Sequence, residues 1–413
     1  MLFAIDLIVL VCFATQFAIA GYFFYLLWWF AARPPETADL PSLPAELPRV
    51  LIQIPVFNEP AVVERALDAA AALDWPRSLL KIQLLDDSTD LTSDIAHHAI
   101  ARMRRDGVDI DHVRRGDRSG FKAGALAAGL AQSDAPYVAV FDADFVPPAD
   151  WLRRAMAAML ARPDAAFVQT RIEWGNGATN WLTRAQRLMQ DAHFAVEQDV
   201  RASRGVPFQF NGTGGIWRRE AVEQAGGWSH DTLSEDLDLV LRIHLKGWKG
   251  VFLMEPHVFG ELPQKLDDFA VQQSRWSKGF IQVARKLLPA IWRAPWSDEA
   301  KVTITAALMQ QLIFPVLAIG LAALVLSILG HGHLTGFFRF LAWVWLAGVA
   351  VILFGMTWGA FWRLRRGSLL DYLATAASVP LLIAYLAFAN TAPIVAAAFG
   401  RKSEFSRTPK TGN

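Results

Sequence analysis

From Leu2 to Ala32 the chain is almost unbroken apolar sequence, with Asp6 and Gln16 the main exceptions. A run of that length with so few charges is suited to one structure, a helix that crosses a bilayer. It is about twice as long as the apolar region of a secretory signal, and no small-residue cleavage site stands out. Trp28 and Trp29 near its end suit an interfacial anchor, and Arg33 follows on the side expected to be cytoplasmic. Residues 303–329 and 338–362 read as two further spans joined at His331-Gly332-His333, and Arg363, Arg365 and Arg366 mark a cytoplasmic end. The run from Leu369 to Phe399 is apolar but broken by Pro380, Asn390 and Pro393, and a basic tail from Arg401 to Lys410 follows it. Positive charge places that tail in the cytoplasm, so an even number of crossings should separate it from the domain in between. Residues 368–400 are therefore expected to be interfacial, re-entrant or a tight hairpin rather than one full span.

Apolar residues make up 53% of the chain and mean hydropathy is +0.26, yet the charged residues gather in the middle. That division predicts a water-soluble domain between membrane segments. The expected order is an N-terminal span (1–33), a proline-rich linker (34–48), a cytoplasmic domain (49–265), amphipathic interface helices (266–300), two spans (303–362), the ambiguous run (368–400) and the tail (401–413). A net charge of +1 points to no polyanionic partner, so nucleic acid is not expected. Cys12 is the only cysteine and lies in the apolar run, which excludes a disulfide framework and a cysteine metal site.

From Arg49 onward strands and helices alternate, the pattern of an α/β fold on a mostly parallel sheet. A strand over 51–55 ends at Asn58-Glu59, and after a helix over 61–73 a second strand over 81–85 ends at Asp86-Asp87. Another helix runs to Arg105. The stretch from Arg114 to Ala125 is basic and glycine-rich, carries Lys122 and opens a helix, an arrangement that suits an anion and equally a solvated loop. Tyr137 to Phe145 is an apolar, strand-like run ending in Asp142 and Asp144, which strand alternation would point to one side. Ligands of open α/β sheets bind at such carboxyl ends. Two carboxylates there suit a hard divalent cation that shares its substrate's phosphates, although an ordinary acidic turn has the same pattern. Asn58/Glu59, Asp86/Asp87 and Asp142/Asp144 in succession describe a nucleotide crevice better than a plain core. No Gly-x-Gly-x-x-Gly or phosphate-loop lysine motif appears, so dinucleotide and ATP folds fit poorly.

Beyond Pro148, residues 166–170 form another strand, and a long amphipathic helix spans roughly 180–200 with His193 as a structural hydrogen-bonder. Phe208 to Gly215, including Gly212 and Thr213, is a tight segment that lets backbone approach a ligand. Ser234 is a candidate N-cap for a helix whose first turn holds Glu235 and Asp236. The helix dipole favours a carboxylate there in its ionised form, which suits a general base and equally suits capping. Gln272-Gln273-Ser274-Arg275-Trp276 lies in a stretch of mixed apolar and basic character expected to run along the membrane surface.

Taken in order, Ile54-Pro55-Val56-Phe57-Asn58-Glu59, Asp86-Asp87-Ser88, Phe121-Lys122-Ala123-Gly124, Asp142-Ala143-Asp144, Asn211-Gly212-Thr213-Gly214, Ser234-Glu235-Asp236 and Gln272 to Trp276 form a recognisable set. The chain resembles membrane-bound family 2 glycosyltransferases of the cellulose-synthase-like type. Gly226-Gly227-Trp228 and Leu245-Lys246-Gly247-Trp248 look closest to the A and C branches, which make mannan, glucomannan and β-1,4-glucan backbones. The resemblance implies a GT-A-type, Rossmann-like domain inserted between transmembrane helices, in a membrane taken to be the bacterial inner membrane. It implies inverting transfer of a hexose from a UDP- or GDP-sugar to a growing β-glycan, with a single lipid acceptor as the alternative. Asn58, Glu59, Asp86 or Asp87, Lys122 and Asp142 would meet the nucleotide and diphosphate. Asp144, with Asp142, would hold Mg²⁺ or Mn²⁺, and Asp236 would be the general base. Gly212, Thr213, Glu235, Gln272, Arg275 and Trp276 would serve the acceptor and diphosphate. Phe405, Thr408 and Lys410 are similar to a gating-loop motif, with Arg407 in place of its usual valine. Three clear spans are few for a polymer channel, and a homodimer would supply more helices.

Overall fold

The computed structural model describes residues 2–33, 40–329 and 335–400. The chain divides into two units. One takes in the described residues of Glu36–Thr179 and Ala202–Pro263, the other those of Met1–Pro35, Asn180–Arg201 and Gln264–Arg407.

The first unit is built on a seven-stranded sheet: β1 (Val50–Val56), β2 (Leu80–Asp86), β3 (Ile110–Arg114), β4 (Tyr137–Val140), β5 (Ala165–Trp174), β6 (Gly215–Arg218) and β7 (Lys249–Gly260). Their order is β3-β2-β1-β4-β6-β5-β7. β1 is parallel to β2 and β4, β2 to β3, and β5 to β7, while β6 runs antiparallel between β4 and β5. The sheet is thus mixed and mostly parallel, as the alternating pattern predicts. The central strands β1 and β4 are apolar because both of their faces are covered. Phe167 and Trp217 are fully buried in a cluster with Phe210, Leu239 and Ile243. Trp151, also fully buried, meets Phe141 edge-on at 4.8 Å and donates Nε1 to Thr170 Oγ1 at 3.0 Å.

Three strands escape the sequence reading. β3 and β6 are short, and β7 contains Gly250, a charged Glu255 and Pro256. Only an edge strand tolerates that proline, and the register of β7 on β5 slips where it falls, between Thr170 and Arg171.

The strand-like run of 137–145 is corrected too. The β4 ladder ends at Val140, and Phe145 N donates to Asp142 O at 2.9 Å, so the two acids lie on a tight turn. Strand alternation therefore does not govern Asp142 and Asp144. The side chain of Asp142 is 34% exposed, whereas Asp144 is 3% exposed.

In the second unit the N-terminal helix Leu2–Ala32 packs against the helices Ile313–Leu329 and Thr335–Leu364. Among the described residues four apolar helical runs are long enough to cross a bilayer: Ala4–Ala32, Asp298–Ala323, Ala347–Leu364 and Leu369–Ala398. The last consists of two helices, Leu369–Ala376 and Val379–Ala398. The amphipathic stretch is one helix, Leu266–Arg293. Phe269 and Ile281 on it share a core with Val379, Leu382, Leu386, Ile394 and Ala397, and Arg285 Nη1 donates to Ala397 O at 3.1 Å.

The expected long helix of 180–200 starts at a capping box of Asn180 and Thr183, then opens into a π-turn over His193–Gln198. Glu197 lies buried at that turn. Tyr22 Oη donates to its Oε1 at 2.8 Å, His193 Nδ1 lies 2.9 Å from its Oε2, and Arg201 pairs with it at 3.4 Å. Burial alone would raise its carboxyl, but His193, Arg201 and Tyr22 bring it down to about 2. His193 is thus the hydrogen-bonder that its context suggests.

Candidate active site

Because β2, β1 and β4 are adjacent and parallel, the segments that follow them emerge along one edge of the sheet. This is what brings residues from distant parts of the sequence together. After β1, Asn58 takes φ +55°, a left-handed conformation that asparagine accepts more readily than most residues. Its backbone N donates to Ser88 Oγ at 2.9 Å and its Oδ1 accepts from Thr89 N at 2.8 Å, tying the ends of β1 and β2 together. Glu59 follows, half-buried.

The two acids that end β2 both have protein partners. Asp86 is buried and accepts from Ser88 N (2.8 Å) and Ser93 Oγ (2.6 Å), with His112 Nε2 at 2.8 Å. A carboxylate can only accept, so Nε2 carries the proton. Burial opposes ionisation, but the hydrogen bonds from His112, Ser93 and Ser88 outweigh it and hold Asp86 well below the usual carboxylate range. Asp87 pairs with Arg115 through both oxygens, at 3.0 and 2.5 Å. Arg115 also donates to Ser119 O and Phe121 O, so Asp87 shapes the basic loop through it. Arg118 in the same loop stacks over Phe57 at 3.3 Å. His112 and Ser93 lie outside the sequence motifs, and Arg115, which stands in the basic stretch read as suiting an anion, is instead bonded to Asp87. The first two carry no sequence signal, since β3 has to be placed beside β2 before His112 has a role.

The centre of the site is Lys122, in the first turn of the helix Phe121–Leu130. Its Nζ donates to Asp142 Oδ1 at 2.5 Å and to Gly212 O at 2.7 Å. Burial alone would lower this lysine, but Asp142, with Glu235 and Asp236 near it, raises it and keeps it an ammonium. Thr213 Oγ1 accepts from Asp142 N at 2.9 Å. Gly212 has φ +77°, and a Cβ there would meet Asp236 Oδ2 at 3.3 Å and Lys122 Nζ at 3.4 Å. Asp236 lies in the first turn of the helix Glu235–Leu245, and its Oδ1 accepts from Leu237 N at 2.8 Å. Ser234 occupies the N-cap position, but its side chain makes no capping hydrogen bond. Lys122, Asp142, Gly212, Thr213 and Asp236 therefore converge.

Gln272, Arg275 and Trp276 belong to the second unit, where their spacing places them on one face of the helix Leu266–Arg293. Phe405, Thr408 and Lys410 lie outside the described residues.

The donor set fits a divalent cation of the nucleotide-binding kind. Among the described residues no group of three or more His, Cys, Asp or Glu side chains is placed to hold a metal. Asp142 and Asp144 can offer two carboxylates, which leaves positions for diphosphate and water. Mg²⁺ and Mn²⁺ sites of transferases use that composition, and closed zinc sites do not.

An open α/β sheet with acidic turns at adjacent strand ends and a lysine among them is the GT-A-type architecture of nucleotide-sugar transferases. A mannosyltransferase from Pyrobaculum calidifontis, solved in complex with GDP-Man and Mn²⁺, shares the fold with a TM-score of 0.64 at 22% identity, over 91% of this chain and 99% of that one. Residues 137–390 match the family described as glycosyl transferase family group 2, and the chain belongs to that family. Glucomannan 4-beta-mannosyltransferase 1 of rice is 42% identical over 275 residues, 65% of this chain and 52% of that protein. Glucomannan 4-beta-mannosyltransferase 9 of Arabidopsis thaliana is 45% identical over 244 residues, 58% of this chain and 46% of the relative. The chain thus spans about half the length of the curated relatives it matches. Both come from plants, so the expectation of a bacterial inner membrane finds no support in them. What stands is that, among the described residues, four apolar helical runs are long enough to cross a membrane.

Proposed function

We propose that this chain is an inverting, membrane-embedded hexosyltransferase that moves a sugar from a nucleotide donor to a growing β-glycan. The observation that carries the reading is the meeting of Lys122, Asp142 and Gly212 beside Asp236 at one sheet edge. The relatives' names favour a mannosyl donor, with a glucosyl donor as the competitor.

In this reading Asn58, Glu59, Asp86 and Asp87 line the nucleotide end of the site. Asp86 and Asp87 act largely by fixing the walls, given their partners His112 and Arg115. Asp142 and Asp144 would hold Mg²⁺ or Mn²⁺, which when bound supplies positive charge against the departing diphosphate. Lys122 adds a fixed ammonium beside it. Asp236 takes the proton of the acceptor hydroxyl as that oxygen attacks the anomeric carbon. Its Oδ1 is oriented by Leu237 N, which turns Oδ2 toward Gly212. One in-line displacement inverts the anomeric centre and needs no covalent enzyme intermediate. Glu235, Gly212 and Thr213 shape the acceptor side, and Gln272, Arg275 and Trp276 supply further diphosphate and acceptor contacts.

A lipid acceptor is the second reading. A cavity of about 360 Å³ in the membrane unit, lined by Trp181, Leu266, Ser378, Leu381, Leu382 and Tyr385, is apolar enough for an acyl or isoprenoid chain. The same reading of the chain keeps 369–398 at the interface. The support is that Val379–Ala398 packs along the amphipathic helix Leu266–Arg293, whose Arg285 reaches the far end of it.

Incubating the membrane-reconstituted protein with radiolabelled GDP-mannose and UDP-glucose, then sizing the product, tests both readings. A polymer resistant to organic solvent supports the first, and a single-sugar product extracted by solvent supports the second. Asp236→Asn should keep nucleotide binding and lose transfer by roughly 10²–10⁴-fold. Substantial turnover in that variant would remove Asp236 as the base.

A further inference from the structure

Gln169 lies on β5, fully buried, in register with Gly215 of β6 and Phe252 of β7. Its Oε1 accepts from Asn211 N at 2.8 Å. Its Nε2 faces three carbonyl oxygens, Thr170 O at 2.8 Å, Thr213 O at 3.1 Å and Gly214 O at 3.3 Å. Placing a primary amide in a sheet core is unfavourable unless its hydrogen bonds are made. Here one side chain satisfies backbone groups at Asn211, Thr213 and Gly214, all in a single loop.

That loop forms one wall of the site. Gly212 O receives Lys122 Nζ, Thr213 Oγ1 receives Asp142 N, and Gly212 lies against Asp236. Asn211 to Gly214 belongs to no helix or strand, and Gly212 and Gly214 both have positive φ, at +77° and +69°. Glycines in that region do not restrict the path of the backbone, so side-chain bonds have to define it. The Gly214 end is held by Gly214 N to Val140 O and by Thr170 Oγ1 to Gly214 O, both at 2.9 Å. Gln169 reaches past that anchor to Thr213 and Asn211.

We infer that Gln169 is a positioning residue for transfer: it sets the path of the Asn211–Gly214 loop, and so where Gly212 sits between Lys122 and Asp236, without touching donor or acceptor. The inference rests on the transferase reading for its catalytic consequence, but not for its structural one. The nucleotide end of the site stands on β1, β2 and the Arg115 loop, none of which Gln169 touches in any bond named above. The diphosphate end, where Lys122 and Asp142 are bonded to this loop, is not independent of it, so the loss of Gln169 should act on turnover and spare the nucleoside end.

Two variants of the full chain in nanodiscs test this. Gln169→Met removes every polar atom, and Gln169→Glu keeps the acceptor but sets a second oxygen against the carbonyls. Backbone hydrogen exchange should rise at least tenfold at residues 211–214 in both, with β1 and β2 unchanged. In the assay in which the wild type is active, kcat should fall at least tenfold, while affinity for GMP without metal, measured by calorimetry, stays within threefold. Unchanged exchange at 211–214 in folded variants overturns the inference whether or not sugar transfer is found. So does a fall in GMP affinity that matches the fall in kcat, which would mark a general packing role. A wild type that transfers sugar from neither donor defeats the transferase reading instead, and the exchange result still decides the role of Gln169.

Discussion

His112 illustrates how much of the site depends on partners that are remote in sequence. Asp86 ends its strand as the pattern requires, yet its protonation state is set by a histidine on β3 and a serine in the following helix. The ionised carboxyl of Asp86 contributes stability above the usual carboxylate range, and that contribution is lost as pH falls below it. His112→Ala removes one donor and raises the folded-state value, so the acid-unfolding midpoint should move to higher pH. A hydrogen bond to a charged group contributes about 1.5–3 kcal/mol, and tryptophan fluorescence against pH would read the shift. An unmoved midpoint would deny the bond that role. Gly212 makes the matching case on the acceptor side. Gly212→Ala meets a left-handed φ that costs an L residue about 1–2 kcal/mol, and its methyl would press on Asp236 and Lys122. Transfer should fall by more than the drop in thermal stability accounts for, which parallel melting and rate measurements would reveal.

At the scale of elements, the helical segment 181–203 ties membrane helices together through charge. Asp199 pairs with Arg33, which follows the N-terminal helix, at 3.3 Å and with Arg363, at the end of Thr335–Leu364, at 3.0 Å. Asp191 pairs with Arg366 at 3.2 Å. All four side chains of the Arg33–Asp199–Arg363 and Asp191 positions are 22% exposed or less, so removing the acid leaves arginines poorly solvated. Asp199→Asn should lower stability by about 3 kcal/mol, the lower end for breaking a buried pair. Arg33→Gln, which leaves Arg363 on the same acid, should cost less. Thermal unfolding in detergent would rank the two, and the reverse order would contradict the clamp. The arginines were legible in sequence as a topology signal, but not as ion-pair partners, because their acids lie far away along the chain. The same limit hides β3, β6 and β7: short or proline-bearing strands carry weak periodicity, and only their neighbours identify them as strands.

For the whole molecule, the number of crossings decides where the basic tail lies. Were Leu369–Ala398 to cross, three apolar runs would separate the sheet unit from the tail and place them on opposite sides. As the interfacial element proposed above, it leaves two. A cysteine at Ser403, in a chain with Cys12 replaced, should react with an impermeant maleimide from the same side of sealed vesicles as a cysteine at Glu220. Labelling from opposite sides would make 369–398 a span and remove the interfacial placement.

The amino-acid pattern alone was enough for the class of fold, because apolar strands ending in acids at regular intervals have few other uses. Asn58, Asp86, Asp87, Lys122, Asp142, Asp144 and Asp236 each stand at or just past a strand end or in the first turn of a helix, places that local periodicity can find. The partners of those residues came only from tertiary structure. Which strands neighbour one another put His112 on Asp86, Arg115 on Asp87 and Gln169 beneath the Asn211–Gly214 loop. A buried glutamine inside an apolar strand carries no local sign of what it holds, because all but one of its hydrogen bonds go to backbone more than forty residues away.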